Sequence, residues 1–369
     1  MGKNNDIVAI SGYYGFDNIG DEAILYSILQ SLREIDKNIR PIVFSNNPEK
    51  TSKLYDVEAV NRWSIHTLSS VLFRSRLLIS GGGSLLQDVT GLRSLGYYLG
   101  VVQLAKLLKN KVMFYAQGIG PINTAAGKKM LRFAANNVDL ITVRDEASKE
   151  LLKELQVKRP PIKVTVDPVL GLSREKIGLE KGRDILKHYG VSDTAPVVGI
   201  SIRDWKELSD YKKSVAKVAD NLIQQGYQVL FIPFHFPGDI AACRNTMRLM
   251  KNEAFLLKNS VTVEEMLSLV GNLEMMIGMR LHSLIMAAVM TVPMVGISYD
   301  PKVDNFLKMV FQPNAGRVET LTEEGLNKNL AKIMDNLQSV REELRNTVNK
   351  LSEKAKENVL ESCKLINQK

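Results

Sequence analysis

Short runs of β-branched and other apolar residues alternate with longer stretches of helical periodicity along the whole chain, and few folds accommodate that alternation. Strand-like runs lie at 7–11, 41–45, 77–80, 111–116, 140–143 and 163–166, with helical stretches at 21–34, 95–109 and 126–136 between them. A second series at 197–202, 228–233, 275–277 and 294–297 encloses helices near 211–225, 263–270 and 281–290. Strands joined through helices run parallel, so the chain is expected to be α/β, with parallel sheets covered by helices on both faces.

At 369 residues the chain is too long for one ordinary core and suits two domains of roughly 150–180 residues each. The charged, loop-rich segment 171–193 leads into a fresh strand and places the boundary there, giving domains 1–172 and 173–369. Two successive α/β domains predict a ligand site at the carboxyl ends of the strands, facing the cleft between the halves. Thr262 with Glu265 and Thr320 with Glu323 have capping-box spacing, which predicts helices starting just after both threonines. Apolar residues from Leu326 to Val359 recur at helical spacing, as amphipathic helices packed on the domains.

Apolar content of 45% and charged content of 24% are ordinary for a globular protein. The first residues carry no apolar segment ahead of a cleavage site, and the longest apolar run, 281–298, is broken by His282, Ser283, Thr291 and Pro293. A cytoplasmic protein is therefore expected. Cys243 and Cys363 have no disulfide or zinc spacing. The net charge of +9 favours phosphates or an anionic membrane face. Its Lys and Arg are scattered among acids, so a nucleic-acid partner is not expected.

Three glycine-rich segments follow strands of the first half. In Ser11-Gly-Tyr-Tyr-Gly-Phe-Asp-Asn-Ile-Gly-Asp-Glu22 the glycines allow tight turns, while Tyr14, Gly15, Asp17, Asn18 and Asp21 offer contacts to sugar hydroxyls. Its acids would repel a pyrophosphate, and the alternative is an Asx-rich turn with Asp21 capping the next helix. Ser80-Gly-Gly-Gly-Ser-Leu-Leu-Gln-Asp88 presents N–H groups at Gly82 and Gly83, with Gln87 and Asp88 as polar contacts. Gln117-Gly-Ile-Gly-Pro121 repeats the pattern, so three loops are expected to line one rim.

Arginines close two other strands. Arg144 precedes Asp145 and is either a ligand contact or an ion-pair partner of the adjacent acids, with Asp145 a helix cap; Arg203 ends the first strand of the second half. The sharpest signal is Ile277-Gly-Met-Arg-Leu-His-Ser283, which places Arg280, His282 and Ser283 where a strand runs into a helix. Free N–H groups there favour an anion, the guanidinium adds a bidentate donor, and the imidazole titrates near neutrality. A structural histidine is the alternative. Lys302, after Gly296-Ile-Ser-Tyr-Asp-Pro, and His235 are further strand-exit residues.

Together these blocks resemble the polysaccharide pyruvyltransferase family, most closely its bacterial branch acting in cell-wall polymer synthesis, the CsaB-type enzymes. The likeness runs from residue 7 to about residue 306. It implies two Rossmann-like domains facing across a cleft, as in GT-B glycosyltransferases, the first binding the acceptor and the second the donor. It implies phosphoenolpyruvate as donor substrate; no cofactor is expected, and no metal, because such a transfer requires none and the sequence offers no metal-ligating cluster. The implied product is a 4,6-linked pyruvate ketal on N-acetylmannosamine of a lipid-diphosphate-linked disaccharide, for secondary cell-wall polymers that anchor surface-layer proteins. Meeting that acceptor implies peripheral contact with the inner face of the cell membrane. The family's donor-site Arg-Leu-His falls on Arg280, Leu281 and His282, and its other basic positions fall on Arg144 and Lys302. Arg203 and Ser283 are added to this donor set by position, and the glycine-segment residues with Gln117 form the acceptor set. Two other readings fit the same features: a glycosyltransferase using a nucleotide sugar, and a non-catalytic protein that binds glycan or lipid phosphate.

Overall fold

The computed structural model describes residues 6–89 and 91–368. Its contacts divide the chain into two units. The first runs to Phe16, then from Asp21 to Gly171, and includes the chain from Leu351 onward; the second comprises 17–20 and 172–350.

In the first unit the elements are β1 (Ile7–Ser11), α1 (Ile19–Ile35), β2 (Arg40–Ser45), α2 (Pro48–Tyr55), β3 (Glu58–Asn61), α3 (Ile65–Arg74), β4 (Leu77–Ser80) and β5 (Gly83–Leu86). They continue with α4 (Leu92–Leu107), β6 (Lys111–Ile119), α5 (Ala125–Ala135), β7 (Leu140–Val143), α6 (Glu146–Glu154) and β8 (Ile162–Val164). Among the described residues the strands form a parallel sheet in the order β3-β2-β1-β4-β6-β7-β8, with β5 pairing beside β6. All residues of β1, β4 and β7 are buried, as central strands covered on both faces require.

The second unit carries α7 (Glu180–His188), β9 (Val197–Ser201), α8 (Asp210–Gln224), β10 (Gln228–Phe231), α9 (Ile240–Met247), β11 (Phe255–Leu256) and α10 (Val263–Gly271). Then follow β12 (Met275–Gly278), α11 (Leu281–Val289), β13 (Met294–Ser298), α12 (Pro301–Met309), β14 (Asn314–Arg317), α13 (Glu323–Met334) and α14 (Leu337–Asn367), which belongs to the second unit up to Lys350 and to the first from Leu351. Its sheet is parallel in the order β11-β10-β9-β12-β13-β14. That is the doubly wound 3-2-1-4-5-6 order, and the direction of winding reverses between β9 and β12.

Two expectations change and a third holds. The charged segment 171–193 contains α7, whose sparse apolar positions hid it. Gly182 lies against α10, its N–H donating to Ser268 Oγ at 2.7 Å, where a Cβ would come within 2.3 Å of the Ser268 carbonyl oxygen. Thr262 and Glu265 form the expected capping box. Thr320 does not cap, because it closes a 3₁₀ turn over Val318–Thr320; α13 starts after Thr322, whose side chain accepts from the Gly325 N–H.

Candidate functional site

The glycine-rich segments of the first unit are not three open loops. β6 extends through Gln117 and Gly118 to Ile119, and Gly83–Leu86 pairs with it, Gly83 opposite Gln117 and Leu86 opposite Ile119. The reversal of winding between β1 and β4, where a ligand would enter, holds the ring of Tyr14, which is 1% exposed. A Cβ on Gly12 would come within 2.2 Å of that ring, and one on Gly81 within 2.1 Å of its hydroxyl. These glycines accommodate a side chain of their own domain. Close backbone approach looks the same in sequence whether the guest is a ligand or a core residue.

Most of the expected acceptor residues are correspondingly occupied. Gln117 is fully buried and its amide donates to the carbonyls of Ser80 and Gly81. Gly82 and Gly83 are buried, and a Cβ on Gly83 would lie 3.2 Å from Asp21 Oδ1. Asp88 is buried and accepts from the N–H groups of Asn123 and Thr124 and from the Thr124 hydroxyl. Burial pushes its carboxyl up, but these hydrogen bonds outweigh burial and hold it below the usual range. Gln87 Oε1 accepts from the Val89 N–H. Gly15, at φ +78°, donates to Glu22 Oε1. Asp21 sits in the first turn of α1, whose N-terminal side-chain bond comes from Asn18, accepting from the Gly20 N–H at 3.1 Å.

Arg144 is also part of the first unit's interior. Its side chain is 6% exposed, with Nη1 3.1 Å from Asp167 Oδ2 and Nη2 donating to Ser84 Oγ at 2.9 Å. The guanidinium lies over Gly118, where a Cβ would approach it to 2.7 Å. Asp145 caps α6 through the Ser148 N–H. The ion-pair alternative raised for Arg144 is the arrangement seen, with Asp167 as the main partner.

The second unit gathers the rest at the carboxyl edge of its sheet, around the β9/β12 reversal. Arg280 is the N-cap residue of α11, and His282 lies in the first turn. Both oxygens of Asp239 hold Arg280, at 2.9 Å to Nε and 2.5 Å to Nη2. Leu281 is buried, and the buried Ser283 hydroxyl donates to the Arg280 carbonyl. Their side chains therefore shape the helix start, and Arg280 and His282 are the half-buried polar residues of that motif. Arg203 follows β9, with its guanidinium 5.6 Å from the Trp205 ring centre and 5.2 Å from that of Tyr299. Those two rings lie 4.7 Å apart. Lys302, in α12, has its ammonium 5.4 Å from the Tyr299 ring and 3.3 Å from Asp300.

His235 completes the group from the β10 side. Burial first, and the nearby Arg280 guanidinium next, lower its pKa below the ordinary histidine value. Residues 17–20 pack here too: the Phe236 N–H donates to the Asp17 carbonyl, the Ile19 N–H to the Phe234 carbonyl, and Asn18 bridges to His235. Gly20 lies against the imidazole of His282, with a Cβ reaching 2.3 Å from Nδ1. Sequence reasoning missed Asp239, Trp205 and Tyr299. The only hint was the Asp ending Phe234-His-Phe-Pro-Gly-Asp239.

Two doubly wound parallel sheets, one with cations and imidazoles at its switch point, define an α/β protein of GT-B-like fold. A family model described as polysaccharide pyruvyl transferase matches residues 18–301, and the chain belongs to that family. Among curated proteins it is similar to the amylovoran biosynthesis protein AmsJ of Erwinia amylovora. The two are 21% identical over 295 residues, covering 73% of this chain and 68% of AmsJ. Anabaena HepE, solved with UDP-glucose, aligns at a TM-score of 0.65 with 12% identity, over 97% of this chain and 99% of HepE. S. aureus MnaA, solved with UDP, aligns at 0.66 with 11% identity over 98% of each chain. The UDP-GlcNAc 2-epimerase of Neisseria meningitidis aligns at 0.62 with 10% identity, over 96% and 99% respectively. These three likenesses establish the fold, and family membership makes the protein a pyruvyl transferase of polysaccharide synthesis.

Proposed function

We propose that the protein transfers the pyruvyl group of phosphoenolpyruvate to N-acetylmannosamine in a lipid-diphosphate-linked disaccharide, forming a cyclic ketal and releasing phosphate. The observation that carries this is the convergence of Arg203, Arg280 and Lys302 with His235 and His282 at one switch point. Phosphoenolpyruvate bears a carboxylate and a phosphate on one carbon, and fixed cations with helix N–H groups suit both.

His282 donates a proton to the methylene carbon, making C2 electrophilic. One sugar hydroxyl adds to C2 and gives its proton to His235, which is held neutral for this role. The C2–O bond to phosphate then breaks, and the second hydroxyl adds, its proton leaving with phosphate. Both hydroxyl protons are thereby accounted for: that taken by His235 passes to solvent while His282 regains one from it, and the other leaves with phosphate. Among the described residues no helix is long and apolar enough to cross a membrane. The lipid-linked acceptor is met peripherally, at the cytoplasmic face, in the synthesis of secondary cell-wall polymers that anchor surface-layer proteins.

Incubation with phosphoenolpyruvate and a synthetic lipid-diphosphate disaccharide, followed by mass spectrometry, tests this. A ketal-bearing acceptor supports the reading. An unchanged acceptor, or one extended by a sugar from a nucleotide donor, rejects it.

A further inference from the structure

The carboxyl edge of the first unit's sheet carries an aromatic cluster that the chemistry above does not use. Arg62, directly after β3, is 2% exposed, and its guanidinium carbon lies 4.4 Å from the ring centre of Tyr97, 5.1 Å from Trp63, 5.2 Å from Phe16 and 5.3 Å from Tyr98. Its Nη1 donates to the Gly12 carbonyl at 2.7 Å, and the Tyr97 hydroxyl donates to the Arg62 carbonyl at 2.9 Å. Tyr13 stacks on Phe16 at 4.1 Å with an interplanar angle of 6°. Burial followed by Asp21 raises the Tyr13 phenol, which stays protonated as a donor.

At the outer end of this cluster stands Trp63, which is 61% exposed. Its indole N–H donates to Asn46 Oδ1 at 3.0 Å, its backbone N–H donates to Asn61 Oδ1 at 2.8 Å, and its ring lies 5.2 Å from that of Tyr97. A ring fixed on one side by a buried guanidinium and on its edge by an amide cannot fold down to hide its open face. An indole held in place in this way presents a flat apolar face with a polar edge to a partner. The rim is polar, because Asn46 and Asn61, which both accept from Trp63, are exposed. A flat apolar face rimmed by side-chain amides matches a pyranose, whose C–H face stacks on the indole while its equatorial hydroxyls meet the amides.

We infer that Trp63, braced by Arg62 and Asn46, is a stacking platform for a sugar ring of the saccharide acceptor. This rests on the reading that the acceptor is a saccharide, not on the identity of the donor. The platform acts in binding and orientation, at a distance from the proton transfers.

The test uses the whole chain without donor. Its tryptophans number two, so emission is followed while a soluble disaccharide containing N-acetylmannosamine is added to wild type and to Trp63→Tyr. A saturable change in wild type that shrinks at least several-fold in Trp63→Tyr is expected. A parallel titration with phosphatidylglycerol vesicles carrying no sugar is expected to leave the emission unchanged. In turnover, Trp63→Ala raises the acceptor KM about tenfold or more, with kcat and the donor KM nearly unchanged, and Trp63→Tyr restores most of it. A saccharide-insensitive emission, a response to vesicles alone, or a Trp63→Ala loss confined to kcat overturns the inference. Because the binding arm contains no phosphoenolpyruvate, a wrong donor leaves it intact. A silent Trp63 in an enzyme that still makes the ketal defeats only this inference.

Discussion

Asp239 holds Arg280 with both carboxylate oxygens while the same carboxylate accepts the N–H groups of Phe234 and His235. The loop after β10 is thus tied to the start of α11 past the end of β9, which lies between β10 and β12 in the sheet. The fork is spent on its carboxylate through Nε and Nη2, so Arg280 meets an anion in a single fixed orientation. Asp239→Asn keeps the shape and removes the charge. It should raise the KM for phosphoenolpyruvate about tenfold or more and lower stability by about 2–3 kcal/mol, since Arg280 loses its partner in a mostly buried setting. Steady-state kinetics with chemical denaturation check both numbers, and an unchanged donor KM would assign Asp239 to folding alone.

Gly20→Ala is a second, sharper probe. Alanine is the better helix former by about 1 kcal/mol, so α1 itself gains nothing from glycine. The added Cβ would sit 2.3 Å from His282 Nδ1, and the ring must move. Turnover should fall by roughly 10²-fold or more, the scale of a displaced general acid, while the melting temperature changes by only a few degrees. Equal losses of activity and of folded protein would contradict this.

The lowered pKa of His235 sets a pH dependence. Above the ordinary histidine value of about 6.5 the ring is neutral in folded and unfolded chains alike. As pH falls below that value the unfolded chain takes up the proton first, so stability declines until the folded pKa is passed. Thermal melts across this acid range should show a component that His235→Asn removes. A variant as acid-sensitive as the wild type would show that other groups govern the slope.

What could be read from the chain followed how local each feature is. The placement of Arg280 and His282 at a strand-to-helix junction was legible, because strand, glycine and helix start lie within a few residues of one another. The partner that orients Arg280 was not, since Asp239 lies 41 residues earlier and comes near only through the winding of the sheet. Glycines misled for a related reason. Gly12 and Gly81 are required by the ring of Tyr14, and Gly118 by the guanidinium of Arg144, demands that only tertiary packing reveals. Trp205 and Tyr299 carry no local signal of their own, and only the fold sets Arg203 beside both.

Arg144 offers a direct contrast with Arg280. Its contacts to Asp167 and Ser84 are internal to the first unit, so Arg144→Lys should act on folding. A lysine cannot reproduce the planar fork, and a loss of about 2–4 kcal/mol is expected from the disrupted buried pair. The donor KM of the fraction that remains folded should stay within about twofold of wild type. A large rise in that KM with unchanged stability would return Arg144 to the donor site.

If the switch-point cations bind phosphoenolpyruvate as the donor, its phosphate must be released only as the acceptor is modified. Phosphorus NMR of a reaction containing phosphoenolpyruvate, the lipid-diphosphate disaccharide and enzyme follows donor and product together. The phosphoenolpyruvate resonance is expected to be replaced by inorganic phosphate only when acceptor is present, and Arg280→Ala to suppress the conversion. A phosphoenolpyruvate signal unchanged by active enzyme, alongside nucleoside diphosphate released from an added nucleotide sugar, would contradict it.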